Sequence, residues 1–307
     1  GLFLLMLRRH RHRRRWGSIL RNNKKGYLFI LLSLSGVSIF LMLPYLDIFL
    51  RAFSSVNSGE TIGLDHFKQI LQNEAFQAAA KNTGRFIIVC IPLLLLLSLA
   101  ISICIYENPR LSSMLKTSFL IPMAIPITSV VLLWRFLFDD NGILNGILCS
   151  LGINTVSWMN GSAAFWVLVG SYIWKNLGYN IILWLAALAT IDPQVQSAAK
   201  LEGASGFQRL VRITLPSVKN GTFIVVVLAI LNSFKVFREV YLVAGDYPHD
   251  SIYMIQHLFH NWFRELELNK LAAGAVIDSV VLIILILILQ KCWKKGDFKM
   301  LVCDYIV

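Results

Sequence analysis

Seven ionisable side chains stand inside long apolar stretches of this sequence, where a charge is costly unless it has a partner or a function. Asn232, Lys235 and Glu239 follow helical spacing and therefore share one helix face, with Arg238 beside them. Such a face could bind a polar solute, and its extra positive charge favours an anionic one. The alternative is an ion pair, between Arg238 and Glu239 or between helices, that supports the bundle. The four other ionisable residues are Asp47, Arg135, Lys175 and Asp278.

Uncharged side chains could serve the same site. Phe234 and Tyr241 could stack on the flat faces of ligand rings. Asn176, Tyr179 and Asn180 lie in the preceding apolar stretch and are polar enough to line a cavity, although packing roles are equally open to them. Tryptophans are more typical of packing, or of the interface belt of a membrane protein, than of a ligand site. This applies to Trp166, Trp174 and Trp184.

Residue patterns that perform covalent chemistry are missing from the sequence. It has no Gly-Lys dipeptide, and hence no phosphate-binding loop of the Walker type, and it has neither an HExxH nor a GxSxG motif. The five cysteines form no CxxC pair and no cluster with histidine, so we expect neither a metal site nor a disulfide framework. These observations predict a protein that is not an enzyme and holds no cofactor of its own.

Composition indicates a membrane protein. Hydrophobic residues make up 56% of the 307 residues, and the mean hydropathy of +0.64 is well above that of soluble domains. A membrane helix needs about 20 mostly apolar residues, and the apolar runs here are continuous, unlike the alternating strands of a barrel. We predict an all-α integral membrane protein with six transmembrane helices, at about 27–50, 84–106, 117–138, 163–189, 222–245 and 271–291.

Lysine and arginine placement predicts the orientation of these helices. Nine such residues precede the first run, and 19 in all fall in segments that would then be cytoplasmic, against six in the outer loops. Since positive residues mark the cytoplasmic side, both termini should be cytoplasmic. This placement accounts for the net charge of +12, and we expect no nucleic-acid partner. The predicted order is a basic N-terminal segment, a transmembrane domain and a cytoplasmic tail, at 1–26, 27–291 and 292–307.

Two outer loops, 51–83 and 246–270, could receive a partner or simply lie solvated at the membrane surface. The first contains GLDHFKQIL, which predicts a short amphipathic helix. Residues 1–7 are apolar but too few to span a membrane, and their role stays open. The residues expected on the apolar face of the short helix are Leu64, Phe67, Ile70 and Leu71.

A polar stretch, SAAKLEGASGFQRLVRITLP at 197–216, separates the fourth and fifth apolar runs. Asp192 can cap a helix with Pro193 in its first position, and this helix should run to about Leu201. Gly203 should end it, because glycine tolerates the left-handed conformation found at helix ends.

A second short helix should begin near Ser205 and close at Pro216, with Phe207, Leu210 and Val211 on one face. The resulting helix–turn–helix, with small residues at its turn, suits a protein contact better than it suits chemistry. The alternative is an amphipathic loop that lies on lipid headgroups.

The same stretch resembles the cytoplasmic EAA loop of the membrane-spanning subunits of binding-protein-dependent ABC importers. In that family E-A-A is followed by three residues, a glycine, nine more residues and I-x-L-P. Here Ser197-Ala198-Ala199 leads to Gly203, and nine residues later to Ile213-Thr214-Leu215-Pro216, so the spacing matches. Ser197 replaces the leading glutamate, and Glu202 the usual aspartate. Other stretches in family order resemble the first-type permeases of the maltose and glycerol-phosphate branches: GLDHFKQIL, FLIPMAIP, FDDNGILNGIL and NSFKVFREVYLV.

The resemblance implies a permease subunit that forms half of a translocation pathway for a carbohydrate and works by alternating access. Its EAA loop, 190–221, would form a short cytoplasmic coupling helix that docks on an ATP-hydrolysing subunit. The residues implied in that contact are Ser197, Ala198, Ala199, Glu202, Gly203, Ala204, Ile213, Leu215 and Pro216. The fifth span lines the path in this family, and the candidate substrate contacts are Asn232, Phe234, Lys235, Arg238, Glu239, Tyr241, Tyr179 and Asn180. Their positive charge would favour an anionic sugar such as a uronate oligosaccharide.

The implied partners are a homologous second permease, two ATPase subunits that bind the ATP and Mg, an extracytoplasmic substrate-binding protein, the lipid bilayer and the sugar. The implied location is the bacterial cytoplasmic membrane, which the chain would cross several times. The leading rival is a self-sufficient ion-coupled secondary transporter, which usually has a coupling-ion site and inverted repeats with broken helices. A membrane-bound enzyme or sensor is a further alternative. The sequence shows the features of neither, and it does not identify the sugar.

Overall fold

The computed structural model of the chain describes residues 24–54 and 63–304. Within these ranges the secondary structure is helical and contains no β-strand. The predicted basic segment lies almost wholly outside them, including residues 1–7. In chain order the α-helices are α1 Lys24–Val37, α2 Leu43–Ala52, α3 Asp65–Gln72, α4 Glu74–Glu107, α5 Pro109–Ala124, α6 Ile127–Phe138, α7 Ile143–Ser150, α8 Ala164–Leu188, α9 Pro193–Leu201, α10 Gly206–Arg209, α11 Leu215–Ser217, α12 Lys219–Ser233, α13 Phe237–Ala244, α14 Ile255–Arg264 and α15 Leu268–Asp304.

Three helical stretches of the described chain are long and apolar enough to cross a membrane: Ile30–Ala52, Glu74–Glu107 and Leu268–Trp293. Two bent pairs raise this number to five if each is one span, namely α5 with α6 and α7, bent by 89°, and α8 with α9, bent by 76°. The prediction of an all-helical protein with several apolar helices is confirmed for the described residues. The six-span topology, the domain boundaries and the orientation stay predictions.

The third apolar run, 117–138, is predicted as one continuous span, but the helix is broken within FLIPMAIP. α5 ends at Ala124 and α6 begins at Ile127. Between them Ile125 is extended, with ψ of 128°, as steric clash requires of a residue that precedes a proline. Pro126 has no N–H to donate to a continuing helix, and the helix axis therefore turns sharply here.

The fifth apolar run, 222–245, is also not a single helix. α12 ends at Ser233, a 3₁₀ turn covers Phe234–Val236, and α13 follows. The carboxyl end of α13 is held by Arg135 of α6, whose Nη2 donates to the carbonyl oxygens of Leu242 at 3.3 Å and Val243 at 3.0 Å. A cation at these carbonyls complements the helix dipole. Arg135 therefore has a structural partner within the protein.

α8 is the central helix of the bundle and packs against α4, α5 and α12. Its Gly178 lies so close to α5 that a Cβ built on it would overlap the carbonyl oxygen of Phe119. Buried hydrogen bonds join α8 to α4: the Trp184 indole donates to Ser98 Oγ at 3.1 Å, and the Ser102 hydroxyl donates to the carbonyl oxygen of Ile181 at 3.3 Å. Small residues and interhelical hydrogen bonds are the usual means of packing helices in lipid.

The predicted outer helix in GLDHFKQIL is present as α3, but its buried face differs from the prediction. Ile70 is buried and Phe67 partly buried, whereas Leu64 is 66% and Leu71 55% exposed. His66, which is not among the residues predicted for the apolar face, is also buried. α3 packs against α15, and this contact overrides the assignment made from apolar residues alone.

The other loop that is predicted to be outer, 246–270, contains α14, which is amphipathic and buries His257 and Asn261. Burial lowers the pKa of His257 to about 4, and its Nδ1 accepts a hydrogen bond from the backbone N–H of Met254 at the start of the helix. Asp246 pairs with Arg264, and the hydrogen bond from Arg264 holds the pKa of that carboxyl below its usual range. The loop is therefore an ordered cap on the end of the bundle.

Candidate functional site

A cavity of about 490 Å³ opens where the broken runs meet α8. One wall comes from the α5–α6 break, a second from one face of α8, and a third from the end of α12 and the start of α13. The extended residue at the break, Ile125, lines this cavity, which is where irregular backbone is tolerated in a membrane protein. The lining residues are Met123, Ile125, Ile127, Tyr172, Lys175, Asn176, Tyr179, Asn232, Lys235, Arg238 and Glu239.

An ion pair crosses the cavity wall between α8 and α13. Lys175 Nζ lies 2.9 Å from Glu239 Oε1, and the two side chains are only 16% and 10% exposed. This is the interhelical alternative that the sequence left open, with Lys175 in place of Arg238 as the partner of Glu239. Such a pair compensates two buried charges that would each be costly alone.

Two polar atoms of this wall have no partner. Glu239 Oε2 and the Tyr172 hydroxyl are buried without a hydrogen bond, although both residues line the cavity. Buried polar atoms are nearly always hydrogen-bonded in native structures, so each exception requires an explanation. Both atoms belong to residues of the cavity wall but are themselves closed off from the cavity in this conformation.

The remaining charges of the cavity are positive. Lys235 donates to Asn232 Oδ1 at 2.7 Å. Arg238 makes no hydrogen bond or ion pair with any residue that the structure describes. With Lys175 included, three cations and one carboxylate line the cavity, and two positive charges are left without a protein counter-charge. A ligand that carries carboxylates would supply the missing anions.

The cavity includes five of the eight predicted substrate contacts: Asn232, Lys235, Arg238, Glu239 and Tyr179. The other three lie elsewhere. Phe234 packs against the main hydrophobic core. Tyr241 stacks against Phe237 and His260, with ring centroids 5.5 Å and 4.7 Å away. Asn180 is 1% exposed and donates to the Asn176 carbonyl at 3.0 Å.

Sequence reasoning did not assign Tyr172, Met123, Ile125 and Ile127 to the site. Tyr172, Lys175, Asn176 and Tyr179 stand at positions i, i+3, i+4 and i+7 of α8, which is the spacing of one helix face. That polar stripe could have identified the α8 wall. No periodic signal marks the wall from the α5–α6 break, because it follows from a bend.

Segment 190–221, which is predicted to be cytoplasmic, begins with the capped helix that the sequence predicts. Asp192 Oδ1 accepts from the Gln194 N–H at 2.8 Å and caps α9, which has Pro193 in its first turn and ends at Leu201. Gly203 adopts a left-handed φ of +80°, the conformation that glycine was expected to supply there.

The second half of the segment begins at a capping box between Ser205 and Gln208. It continues through a π-helical turn, Leu210–Thr214, into α11. The helix ends at Ser217, one residue beyond the predicted end at Pro216 and before α12. In the π turn the Leu215 N–H bonds to the Leu210 carbonyl, a wider turn that accommodates the proline ring without the clash expected in a regular helix.

Large apolar side chains lie on the solvent-exposed face of this segment. Leu201 is 90%, Phe207 75% and Val211 45% exposed. Gln196 Nε2 donates to Thr214 Oγ1 at 3.2 Å and joins the two halves. Of the predicted coupling residues, Ala199 is buried and Ala204, Ile213 and Pro216 are partly buried. The exposed ones are Ser197, Ala198, Glu202, Gly203 and Leu215.

Comparison with known proteins assigns the chain to a family. The model of the family described as "Binding-protein-dependent transport system inner membrane component" matches residues 95–293. The chain is 27% identical over 285 residues to the trehalose/maltose transport system permease protein MalF of Thermococcus litoralis, covering 91% of this chain and 96% of that protein. It is 27% identical over 264 residues to the sn-glycerol-3-phosphate transport system permease protein UgpA of Yersinia pestis, covering 84% and 90%.

Among solved structures, the fold is similar to that of a bacterial ABC transporter involved in the import of the acidic polysaccharide alginate. The TM-score is 0.79 at 22% sequence identity, over 92% of this chain and 99% of the other. At this identity the likeness establishes the fold.

Proposed function

This chain belongs to the family of inner membrane components of binding-protein-dependent transport systems, and we propose that it forms half of the translocation pathway of an ABC sugar importer. It would couple sugar passage to ATP hydrolysis on a partner subunit by alternating access, through segment 190–221. The single observation that carries the proposal is a polar, cation-rich cavity built where the α5–α6 break and the turn between α12 and α13 meet α8 in an otherwise apolar bundle.

Segment 190–221 supports the coupling role. Its turn and caps are formed by local contacts within the chain, and its outer face presents Leu201, Phe207 and Val211 to solvent. A short preformed helix with exposed apolar side chains fits a groove on a partner protein. The EAA spacing indicates which partner: the ATPase subunit.

The proposed complex contains a second homologous permease, two ATPase subunits that bind ATP and Mg, and an extracytoplasmic substrate-binding protein, in the bacterial inner membrane. The binding protein follows from the family itself. The chain is proposed to act as a transducer without catalysis, since its relatives are permease components.

The alternative hypothesis is a secondary transporter. The structure adds one feature in its favour that the sequence did not show, because the described chain contains broken helices. Family membership nevertheless favours the ABC importer. In the described residues no group of His, Cys, Asp or Glu could hold a metal ion.

The docking role predicts that Gly203→Val abolishes ATPase binding. A β-branched residue is strained at φ of +80°, so the turn should shift and misplace both halves of the segment. We expect an ATPase and a second permease to co-purify with the wild-type chain in mild detergent, and the ATPase to be lost from the variant. Gly152→Val is the matched control, because Gly152 is also exposed, has φ of +71° and has no atom within 4 Å of a built Cβ. A wild-type chain that purifies without an ATPase would contradict the proposal and favour the secondary transporter.

The substrate is proposed to be an anionic oligosaccharide, such as a uronate oligosaccharide. The excess of two positive charges in the cavity supports this, as does the acidic polysaccharide named for the structural neighbour. Arg238 is the key residue, since it lines the cavity without a protein partner.

Arg238→Ala is therefore expected to lower uptake of acidic oligosaccharides about tenfold relative to neutral ones, which corresponds to about 1.4 kcal/mol of lost interaction. Uptake of both classes by proteoliposomes that contain the whole complex would measure the ratio. Lys68→Ala, on the exposed surface of α3, is the control and should leave the ratio unchanged. An unchanged ratio in Arg238→Ala would rule out the anionic substrate.

A further inference from the structure

Arg209 links segment 190–221 to the transmembrane bundle. Its Nη2 lies 3.7 Å from Oε1 of Glu107, the last residue of α4. Only 16% of the Arg209 side chain is exposed, whereas Phe207, two residues earlier, is 75% exposed. Arg209 therefore points into the protein, and the apolar residues around it point outward.

Glu107 lies at the point where α4 ends and α5 begins. The chain turns at Asn108, with φ of −120° and ψ of 75°, and continues directly into α5. The far end of α5 contributes Met123 to the cavity. Glu107 thus stands at the junction of two helices, α4 and α5, and the second of them leads to the cavity wall.

The chain connects segment 190–221 directly to only some of the helices that line the cavity. Segment 190–221 is continuous in the chain with α8 on one side and α12 on the other, so a displacement of the segment pulls on both helices directly. The α4–α5 junction has no such covalent link to the segment. The Arg209–Glu107 pair is a direct contact between the segment and this junction, in addition to the packing of α4 and α5 against α8.

One side of the pair is buried and the other is open to water. Glu107 is 52% exposed, and an ion pair with a water-exposed partner contributes little to stability. Arg209 Nε is buried and has no acceptor. The guanidinium is therefore incompletely satisfied in this conformation, and a second arrangement of its hydrogen bonds is open to it.

We propose that Arg209 is a positioning residue which, through Glu107, transmits displacement of segment 190–221 to the α4–α5 junction and so to the cavity wall at Met123. The inference rests on the proposed function, in which an ATPase docks on that segment. Loss of the pair should leave the ATPase bound. ATP binding and hydrolysis should then no longer change the cavity wall at Met123.

The test measures the cavity directly. In a chain whose five cysteines are replaced, Met123→Cys serves as a reporter, and its labelling by a maleimide is compared between nucleotide-free and ATP/vanadate-trapped complexes. We expect trapping to change the labelling of this otherwise wild-type chain. Arg209→Glu and Glu107→Arg should each keep the co-purified ATPase but lose that change, and the double charge swap should restore it.

The possible results separate the two proposals. Absence of an ATPase, or of any ATP-dependent labelling change, in the chain with Arg209 and Glu107 intact would contradict the proposed function itself. An unaltered labelling change in both single variants would overturn the positioning role. So would loss of the ATPase from Arg209→Glu, or a double swap without recovery. Should a charge reversal prevent folding, Arg209→Gln and Glu107→Gln remove the pair more mildly and are judged by the same two readouts.

Discussion

Gly178→Val is expected to prevent the chain from forming a stable bundle. Gly178 lies in the middle of α8, where a Cβ would overlap the Phe119 carbonyl oxygen of α5. A backbone oxygen cannot rotate away as a side chain could, so the two helices must separate. Overpacking in a core commonly costs about 1–3 kcal/mol, and we expect a cost at or above the upper end here. Separation of α5 from α8 would also deform the cavity, since both helices contribute to its walls.

The fraction of folded protein in a denaturing-detergent titration would measure this effect. Gly170→Val is the matched control, because Gly170 lies on the same helix and a Cβ there has no atom within 4 Å. It should change the free energy of unfolding by about 0.5 kcal/mol or less, as surface substitutions usually do. Equal stability of the two variants would show that α5 and α8 can repack without the close contact.

Local signals explain why segment 190–221 could be predicted almost residue by residue. The cap at Asp192, the turn at Gly203 and the start at Ser205 each depend on a few neighbouring residues. The sequence does not predict the π-helical turn Leu210–Thr214, because no recognisable residue pattern encodes such a turn. Propensity and capping rules describe regular helices only.

The cavity could be predicted only in part, because it depends on contacts between distant parts of the chain. Helical spacing correctly grouped Asn232, Lys235 and Glu239, which all line the cavity. The same spacing did not show that Phe234 and Tyr241 turn away, into the core and toward α14. The bend between α5 and α6, and the pairing of Glu239 with Lys175, require knowledge of which helices are neighbours.

Glu239→Leu is expected to destabilise the chain by about 3–5 kcal/mol, the usual cost of leaving one member of a buried ion pair alone. The Lys175 ammonium, only 16% exposed, would lose the carboxylate at 2.9 Å. Lys175→Met should cost a similar amount, because it leaves Glu239 without its cation. The double variant Lys175→Met/Glu239→Leu should recover most of this stability, since apolar pairs often replace buried ion pairs without loss.

The double variant separates the two roles of this ion pair. If the pair serves only the bundle, the double variant should transport sugar as well as the wild type. If Glu239 and Lys175 also bind the sugar, as their position in the cavity wall indicates, the double variant should be stable but inactive. Lys235→Met is the control for charge. Lys235 lines the same cavity, and among the described residues its hydrogen-bond partner is Asn232. Its loss should change stability by about 0.5 kcal/mol or less. A Glu239→Leu chain as stable as the control would show that Lys175 finds another partner, and the ion pair would then not explain how α8 and α13 are held together.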